Sequence, residues 1–352
     1  MKRPVGSILL GLFLVAQILL AADRLVPNVG LQGAAGGPEW VPLVPGRARV
    51  AMSTPSDLIL TTGTEAYWRI PLTGRVRAEA VSVMHIPQVL PGGTLVTVDM
   101  ARLGGQLRIL GIAGAPSWVD PDGRAAAVFD PSDRALWAMM AKDPRPHPLG
   151  PEDPLAPGAL VWSQSGDRLN YLSGHPARLW SWRVGSYARS LGPLTGTLLA
   201  VRPDGSTVVA LTGGAPGLFM PHIGGTVPLA SARVLSAAPD GREAIVMARG
   251  GLYVMDLDTS MALRLPELGP LAIRDVAWDP GGDVAALTKP AGKPEEIVVA
   301  SLASRGVDVL PLPNGLTPVE RGLVAFSAGR LLMTFEVKGA PVTYMMVPGA
   351  SA

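Results

Sequence analysis

Ala237-Ala238-Pro239-Asp240-Gly241, then Ala244-Ile245-Val246-Met247, then Leu252-Tyr253-Val254-Met255-Asp256-Leu257-Asp258 is the stretch that decides the fold. It reads as a tight turn, a short apolar strand, a second turn and a second strand. Pro presets φ at the start of a turn, Asp bonds its own backbone, and Gly accepts the positive φ at which the chain reverses. The same phrase returns as Val119-Asp120-Pro121-Asp122-Gly123, Trp162-Ser163-Gln164-Ser165-Gly166-Asp167, Val201-Arg202-Pro203-Asp204-Gly205 and Trp278-Asp279-Pro280-Gly281-Gly282-Asp283. With Pro, or Gln164, as the marker, the intervals are 43, 39, 36 and 41 residues. Their mean of about 40 is the length of one four-stranded propeller blade.

A second feature keeps step with the first. Each turn leads into an apolar strand, such as Ala125-Ala126-Ala127-Val128-Phe129 or Val208-Val209-Ala210-Leu211, and then into another that carries a bulky residue. Those residues are Trp137, Trp180, Phe219, Tyr253 and Val298, at 16, 16, 16, 14 and 18 positions from the marker. Packed blades need one large apolar side chain per repeat, so this set is read as core and not as a ligand-stacking cage. Weaker copies flank the five: Pro55 leading to Tyr67-Trp68-Arg69-Ile70, Pro91-Gly92-Gly93 leading to Leu107-Arg108-Ile109-Leu110, and Leu331–Phe335 before Val342–Val347. The expected fold is therefore all-β, a β-propeller of seven or eight four-stranded blades over residues 46–350. Open sheet edges invite aggregation, so the ring must close. A strand near Trp40–Leu43 or Arg49–Met52 is expected to join the last blade near Tyr344.

The phrase Ala238-Pro239-Asp240-Gly241 leading to Tyr253-Val254-Met255-Asp256-Leu257-Asp258, with Trp278-Asp279-Pro280-Gly281-Gly282-Asp283, resembles the TolB-type (WD-like) β-propeller repeat. The resemblance covers roughly residues 113–303. It implies an extracytoplasmic propeller of a kind that mostly binds proteins or carries another domain. The sequence lacks a region like the amino-terminal α/β domain of TolB, which speaks against a Tol–Pal role, and one like the hydrolase domain of propeller-bearing peptidases.

The amino terminus sets the location. Lys2 and Arg3 precede nineteen residues, Pro4 to Ala22, without Asp, Glu, Lys or Arg. As a helix this segment reaches about 28 Å, close to the ~30 Å hydrocarbon core. A positive region before an apolar helix is read by export machinery and keeps its charges in the cytoplasm. Residues 1–27 are thus expected to form a hydrophobic helix, either a signal peptide or a transmembrane anchor. Its length and the Leu19-Leu20 pair before Ala21-Ala22 favour the anchor: a single-pass cell-membrane protein with its propeller outside, the alternative being secretion after cleavage. The Gly/Pro-rich residues 28–45 read as a tether.

Composition narrows the partners. The 352 residues hold 30 Lys+Arg and 28 Asp+Glu, and charged residues make up only 16%. Without Lys2 and Arg3 the remainder is 28 against 28, so the isoelectric point near 9.0 is no nucleic-acid signature. The chain has no Cys, which excludes disulfides, thiolate metal sites and a Cys nucleophile.

Candidate chemistry is sparse. His85, His147, His175 and His222 stand at no metal-ligand spacing, and surface or turn positions are expected for them. Asp256, Asp258, Ser260 and Glu267 fit positions 1, 3, 5 and 12 of a calcium loop, but Met261 stands where Gly is needed, so a hairpin turn is expected. Gly292-Lys293 is followed by Pro294, which removes the Ser or Thr of a phosphate loop. Residues 143–158 carry six prolines and read as a long inter-blade connection that a partner could also grip. No catalytic, cofactor-binding or metal-binding residue is singled out, and no cofactor is expected. The expected function is a non-enzymatic, monomeric scaffold that binds a protein or envelope polymer through one face and the membrane through its amino-terminal helix. The alternative is a propeller enzyme, lyase or hydrolase, with a polar site at the channel mouth.

Overall fold

The computed structural model describes residues 39–347 apart from 54–56, 64–65, 73–75, 150–159, 230–231, 249–250, 260, 266–272, 280–281, 290–293, 314 and 328–329. The apolar segment 1–27 and the start of the tether lie outside the described residues, as do Ser260, Glu267 and the second half of the proline-rich stretch.

Eight sheets form a ring of eight blades. The chain begins with β1 (Glu39–Pro45), which belongs to the last blade. Blade I follows with β2 (Ala48–Ser53), β3 (Asp57–Thr62), β4 (Ala66–Pro71) and the two-residue β5 (Glu79–Ala80). Blade II has β6 (Met84–Val89), β7 (Leu95–Leu103) and β8 (Gln106–Ala113). Blade III is β9 (Ser117–Val119), β10 (Ala125–Asp130), β11 (Ala135–Met140) and β12 (Asp143–Pro148); blade IV is β13 (Leu160–Trp162), β14 (Arg168–Ser173), β15 (Arg178–Arg183) and β16 (Arg189–Pro193). Blade V comprises β17 (Gly196–Val201), β18 (Thr207–Leu211), β19 (Pro216–Met220) and β20 (Gly225–Pro228), and blade VI β21 (Arg233–Ala237), β22 (Glu243–Ala248), β23 (Gly251–Asp256) and β24 (Ala262–Arg264). Blade VII holds β25 (Ile273–Trp278), β26 (Val284–Thr288), β27 (Glu296–Ser301) and β28 (Gly306–Pro311). Blade VIII is β29 (Thr317–Ser327), β30 (Arg330–Val337) and β31 (Ala340–Val347), completed by β1.

The recurrent turn joins the first two strands of blades III to VII. In each, the Gly N–H donates to the carbonyl three residues back: Gly123 to Asp120, Gly166 to Ser163, Gly205 to Arg202 and Gly241 to Ala238 at 2.9 Å, Gly282 to Asp279 at 3.0 Å. Gly123 and Gly241 have φ of 67° and 71°, which residues with a Cβ avoid. These turns succeed one another on one face of the disc, called here the turn face. Gly166 lies against Asp120, Gly205 against Arg168, Gly241 against Arg202 and Gly282 against Glu243.

Closure takes the first of the two expected forms. β1 pairs antiparallel with β31, Trp40 opposite Met346 and Pro42 opposite Tyr344. The folded sheet therefore begins at Glu39, within the segment read as a tether. Alternate apolar residues around Trp40 and Val44 give that segment a buried face, and the ring needs its fourth strand.

The core is a ring of eight apolar clusters, one between each pair of adjacent blades. All five bulky strand residues pack in these clusters, on β11, β15, β19, β23 and β27. Full burial of a large apolar side chain contributes roughly 1.5–3 kcal/mol. The junction of blades I and II has the fewest, with Met52, Ile59, Tyr67, Ala101 and Leu110 as its buried members.

Blade II departs from the expected pattern. It has three strands among the described residues, and it is traversed from the rim inward. Its last strand, β8, lies beside β2 and β9, the first strands of its neighbours, and the N–H of Ile109 donates to Gly123 O. Its Leu90–Thr94 turn has the familiar hydrogen bond, Gly93 N–H to Leu90 O at 2.8 Å, but sits on the opposite face. There it meets the turn between β10 and β11, where Asp130 accepts from Gly92 N–H at 3.1 Å and from Thr94 Oγ1 at 2.5 Å. The short β5 delivers the chain to the rim, so blade II is built inward, and three strands bring it back to the face where β9 starts.

The proline-rich segment is also different from expectation. Its first half is a rim strand, β12, with Pro148 opposite Trp137 and His147 opposite Ala138. A rim strand tolerates Pro because one edge needs no backbone donor.

Candidate functional site

The turn face is polar, and its carboxylates hold its turns. Asp120 is buried and accepts N–H bonds from Asp122 at 2.7 Å, Arg124 at 3.2 Å and Ala125 at 2.6 Å. Asp167 accepts the hydroxyls of Ser163 and Ser165, and Asp204 the N–H and hydroxyl of Ser206. Asp256 Oδ1 accepts the N–H groups of Asp258 and Thr259, and Asp258 is paired with Arg202. The two described members of the calcium-like pattern thus shape a hairpin turn. Among the described residues no group of three or more His, Asp or Glu is placed to hold a metal ion.

Three carboxyls are shifted upward. Burial pushes Asp120 up to about 6 against the N–H donors of Arg124 and Ala125. Burial likewise pushes Asp275 on β25 up to about 6, although Leu323 and Val276 donate to it and Arg321 and Arg47 lie nearby. Glu243 rises to about 7 through burial and the charges of Asp240, Asp283 and Asp256, and its Oε2 has no hydrogen-bond partner among the described residues. These groups stand on blades III, VII and VI. A shifted acid is a site candidate only where a cleft and partners converge on it, and here burial, joined at Glu243 by neighbouring carboxylates, accounts for the shifts.

The irregular blade II gathers more. At its inner side a cavity of about 270 Å³ opens between blades I, II and III, lined by Arg49, Tyr67, Asp99, Ile112, Ser117 and Trp118. Tyr67 on β4 donates its hydroxyl to Asp99 Oδ2 at 2.7 Å, and His85 Nδ1 lies 2.8 Å from Asp99 Oδ1. Asp99 is 3% exposed, whereas the His85 side chain is half exposed. Burial first, then the Asp99 acceptor, raises the Tyr67 pKa, so the phenol keeps its proton. Gly111 on β8 makes room for that hydroxyl, since a Cβ there would lie 2.6 Å from Tyr67 Oη. The three side chains form one chain of contacts from the cavity to the rim.

At the outer, turn-face side of the same blade lies a groove of about 580 Å³. Its floor is apolar, with Met84, Met100, Leu103 and Leu107, and Arg69, Arg102, Lys142 and Glu79 stand along its edges. At the opposite end of β6, Val89 and Leu95 face each other across the turn and are 60% and 65% exposed.

The four histidines fall on blades II, III, IV and V, one to each, so no blade presents a pair. His147 lies 3.4 Å from Asp143 Oδ2, while His175 and His222 are in turns. The array of Tyr67, Asp99 and His85 was not legible in the sequence. Its members are 14 and 32 positions apart, and they meet only because blade II is inverted.

No family model and no curated protein sequence matches the chain. Solved structures are similar in fold. TolB from Acinetobacter baumannii is 15% identical with a TM-score of 0.38, over 76% of this chain and 80% of that one. An oligogalacturonate lyase in complex with manganese is 12% identical with a TM-score of 0.48, over 77% of this chain and 98% of the other. A chain assigned as TolB from Agrobacterium tumefaciens is 14% identical with a TM-score of 0.40, over 68% and 93%.

Proposed function

We propose that this TolB-like β-propeller is a non-enzymatic binding scaffold, held outside the cytoplasm by its amino-terminal apolar segment, and that blade II is where it meets a protein of the envelope. The observation that carries the reading is the break in the ring. Seven blades are closed four-stranded sheets, and the eighth has three strands among the described residues, an exposed Val89–Leu95 pair and an apolar groove at its rim. Exposed apolar residues where a regular ring of blades is interrupted mark interaction surface. The carboxylates of the turn face, by contrast, are engaged in holding their own loops.

A second reading has one observation in its favour, the cavity where Asp99 and Tyr67 stand near Arg49. It would make this end of the channel a polar catalytic site. Against it, Tyr67 holds its proton tightly, and the Asp99 oxygens already accept from Tyr67 and contact His85. General acid–base work needs a group whose pKa lies near the working pH.

The test is capture from detergent-solubilised envelope of the source cells with the full chain and with the Val89→Asp/Leu95→Asp variant, whose sites face solvent. A stoichiometric protein retained in moderate salt by the wild-type chain and lost with the variant supports the scaffold. No protein partner, together with turnover of an envelope polymer that Tyr67→Phe and Asp99→Asn abolish, would replace it with the enzyme. Fractionation of the full chain beside one lacking residues 1–22 checks the membrane attachment.

A further inference from the structure

The groove on blade II has an open strand edge along its length. β7 runs to Leu103, but its outer partner β6 begins at Met84, opposite Met100. Ala101, Arg102 and Leu103 are therefore paired on one side only, with Arg108, Leu107 and Gln106 of β8. The Gly104-Gly105 turn, with φ of 55° and 79°, is a two-residue hairpin, which makes Leu103–Gln106 the closing hydrogen-bonded pair. Pairs alternate along an antiparallel ladder, so the backbone N–H and C=O of Arg102 point away from β8, to the side that β6 does not reach.

The edge of β6 itself is a poor template. Pro87 lies opposite Thr97 in the middle of the strand, and a Pro there removes the donor that an added strand would need. The upper edge of β7 carries no such block. It is flanked by the apolar floor of the groove, whose charged lining is three cations and one carboxylate. Arg69 is bonded to Asp57 at 2.8 Å and lies 3.8 Å from Glu79, the one acidic group of the lining. Among the described residues Arg102 bonds the carbonyl of Gly105, and neither Arg102 nor Lys142 has an acidic partner. Two cations are thus uncompensated beside an apolar floor and an unpaired strand edge.

We propose that this groove takes a short extended segment of a partner protein, with apolar and acidic side chains in alternation, that pairs with Ala101–Leu103 and sets its carboxylates against Arg102 and Lys142. Strand addition supplies affinity through backbone bonds, and pockets for alternate side chains supply specificity. The alternation follows from strand geometry, since neighbouring side chains point to opposite sides. An acidic polysaccharide would satisfy the two cations but leave Met84, Leu103 and Leu107 uncovered. This site rests on the scaffold reading above and deepens it.

The experiment is selection of a displayed library of randomised heptapeptides on the full chain, followed by binding of the enriched peptides to wild type and to Arg102→Glu/Lys142→Glu. Both substitutions lie at exposed or half-exposed positions, and thermal melting checks that the variant is folded. Enriched sequences are expected to alternate Asp or Glu with apolar residues and to bind the variant about tenfold or more weakly, as loss and reversal of two rim charges predicts. Enrichment without acidic residues, no enrichment at all, or equal binding to the variant would overturn the site. So would an alginate oligomer that binds in a manner sensitive to the variant while no peptide does. The envelope capture separates the two levels. A partner retained equally by wild type and the Arg102/Lys142 variant leaves the scaffold standing and removes the groove, while no partner for either chain removes the scaffold itself.

Discussion

Gly111 and Tyr67 fit one another across the junction of blades I and II, the phenol oxygen lying 2.6 Å from where a Gly111 Cβ would stand. That oxygen donates to the buried Asp99 at 2.7 Å, so it has little freedom to move aside. Gly111→Ala is expected to destabilise the fold by about 1–3 kcal/mol, in the range for overpacking. Tyr67→Phe is expected to cost about 1–2 kcal/mol, since it leaves an Asp99 oxygen without its donor. In the double variant the clash is gone, so its stability should nearly match that of Tyr67→Phe alone. Urea unfolding of the four chains measures this, and simple additivity would show that the two residues do not compete for the space.

Asp120 holds the first of the five clear turns by itself. Three N–H groups, of Asp122, Arg124 and Ala125, point at its carboxylate. Asp120→Ala leaves these donors without their acceptor and is expected to cost about 2 kcal/mol, the penalty for a few partly buried groups left unpaired. Asp120→Asn keeps one acceptor oxygen and should lose less. Equal melting temperatures for both variants and the wild type would remove the carboxylate as the organiser of the turn.

How much of this was legible in the sequence depends on which residues carried the repeat. Pro, Asp and Gly act locally, so the turns at 120–123 and 238–241 declare themselves wherever they occur. The bulky strand residues, Phe219 for instance, follow at fixed spacing because each blade needs one. Blade II shows the limit. Leu90-Pro91-Gly92-Gly93 makes the same kind of hairpin as the other turns, yet local turn chemistry does not say which face the hairpin lies on. That was decided by the two-residue β5 and by the contact of Asp130 with Gly92 and Thr94, 36 to 38 positions apart. The contacts of Tyr67, Asp99 and His85, like the groove, are consequences of that inversion and leave no local signature. Glu39–Pro45 was half legible: its prolines and the preceding glycines read as a tether, while the need to close the ring pointed to a strand near Trp40–Leu43 beside Tyr344, where β1 pairs with β31.

Glu243 makes stability depend on pH. Its folded pKa, raised to about 7, lies above that of an unfolded Glu, roughly 4.3. Between these values the folded chain holds a proton that the unfolded chain has released. Stability from this group is therefore fully present below about 4.3 and is lost as pH rises through about 7. Glu243→Gln cannot ionise, so the variant should melt above the wild type at pH 8 and close to it at pH 4. Calorimetric scans across that range decide the matter. A wild-type chain whose melting point relative to the variant does not change with pH would mean that the carboxylate is solvated.

The ring is closed by a strand from the other end of the chain, and its anchor is aromatic. Trp40 on β1 meets Phe335 on β30 edge-on, with ring centroids 5.2 Å apart, and Phe335 meets Tyr344 on β31 at 5.6 Å. Phe335 is fully buried, so Trp40 completes the core between blades VII and VIII and does not merely cover it. Trp40→Ala is expected to cost about 2–3 kcal/mol, somewhat below the 3–5 kcal/mol typical of a fully buried aromatic, because Trp40 is half-buried. Removing residues 39–45, or the last 30 residues, acts more severely. The first exposes the whole edge of β31, and the second takes away β30, β31 and the end of β29, so that β1 has no partner. Exposed strands of that length pair with other chains. Size-exclusion chromatography should show oligomers or aggregates for both truncations, while Trp40→Ala stays monomeric and melts lower. A truncated chain that remains soluble and unfolds in one cooperative step would mean that the eight blades are held by their apolar junctions alone, without the strand from the amino-terminal side.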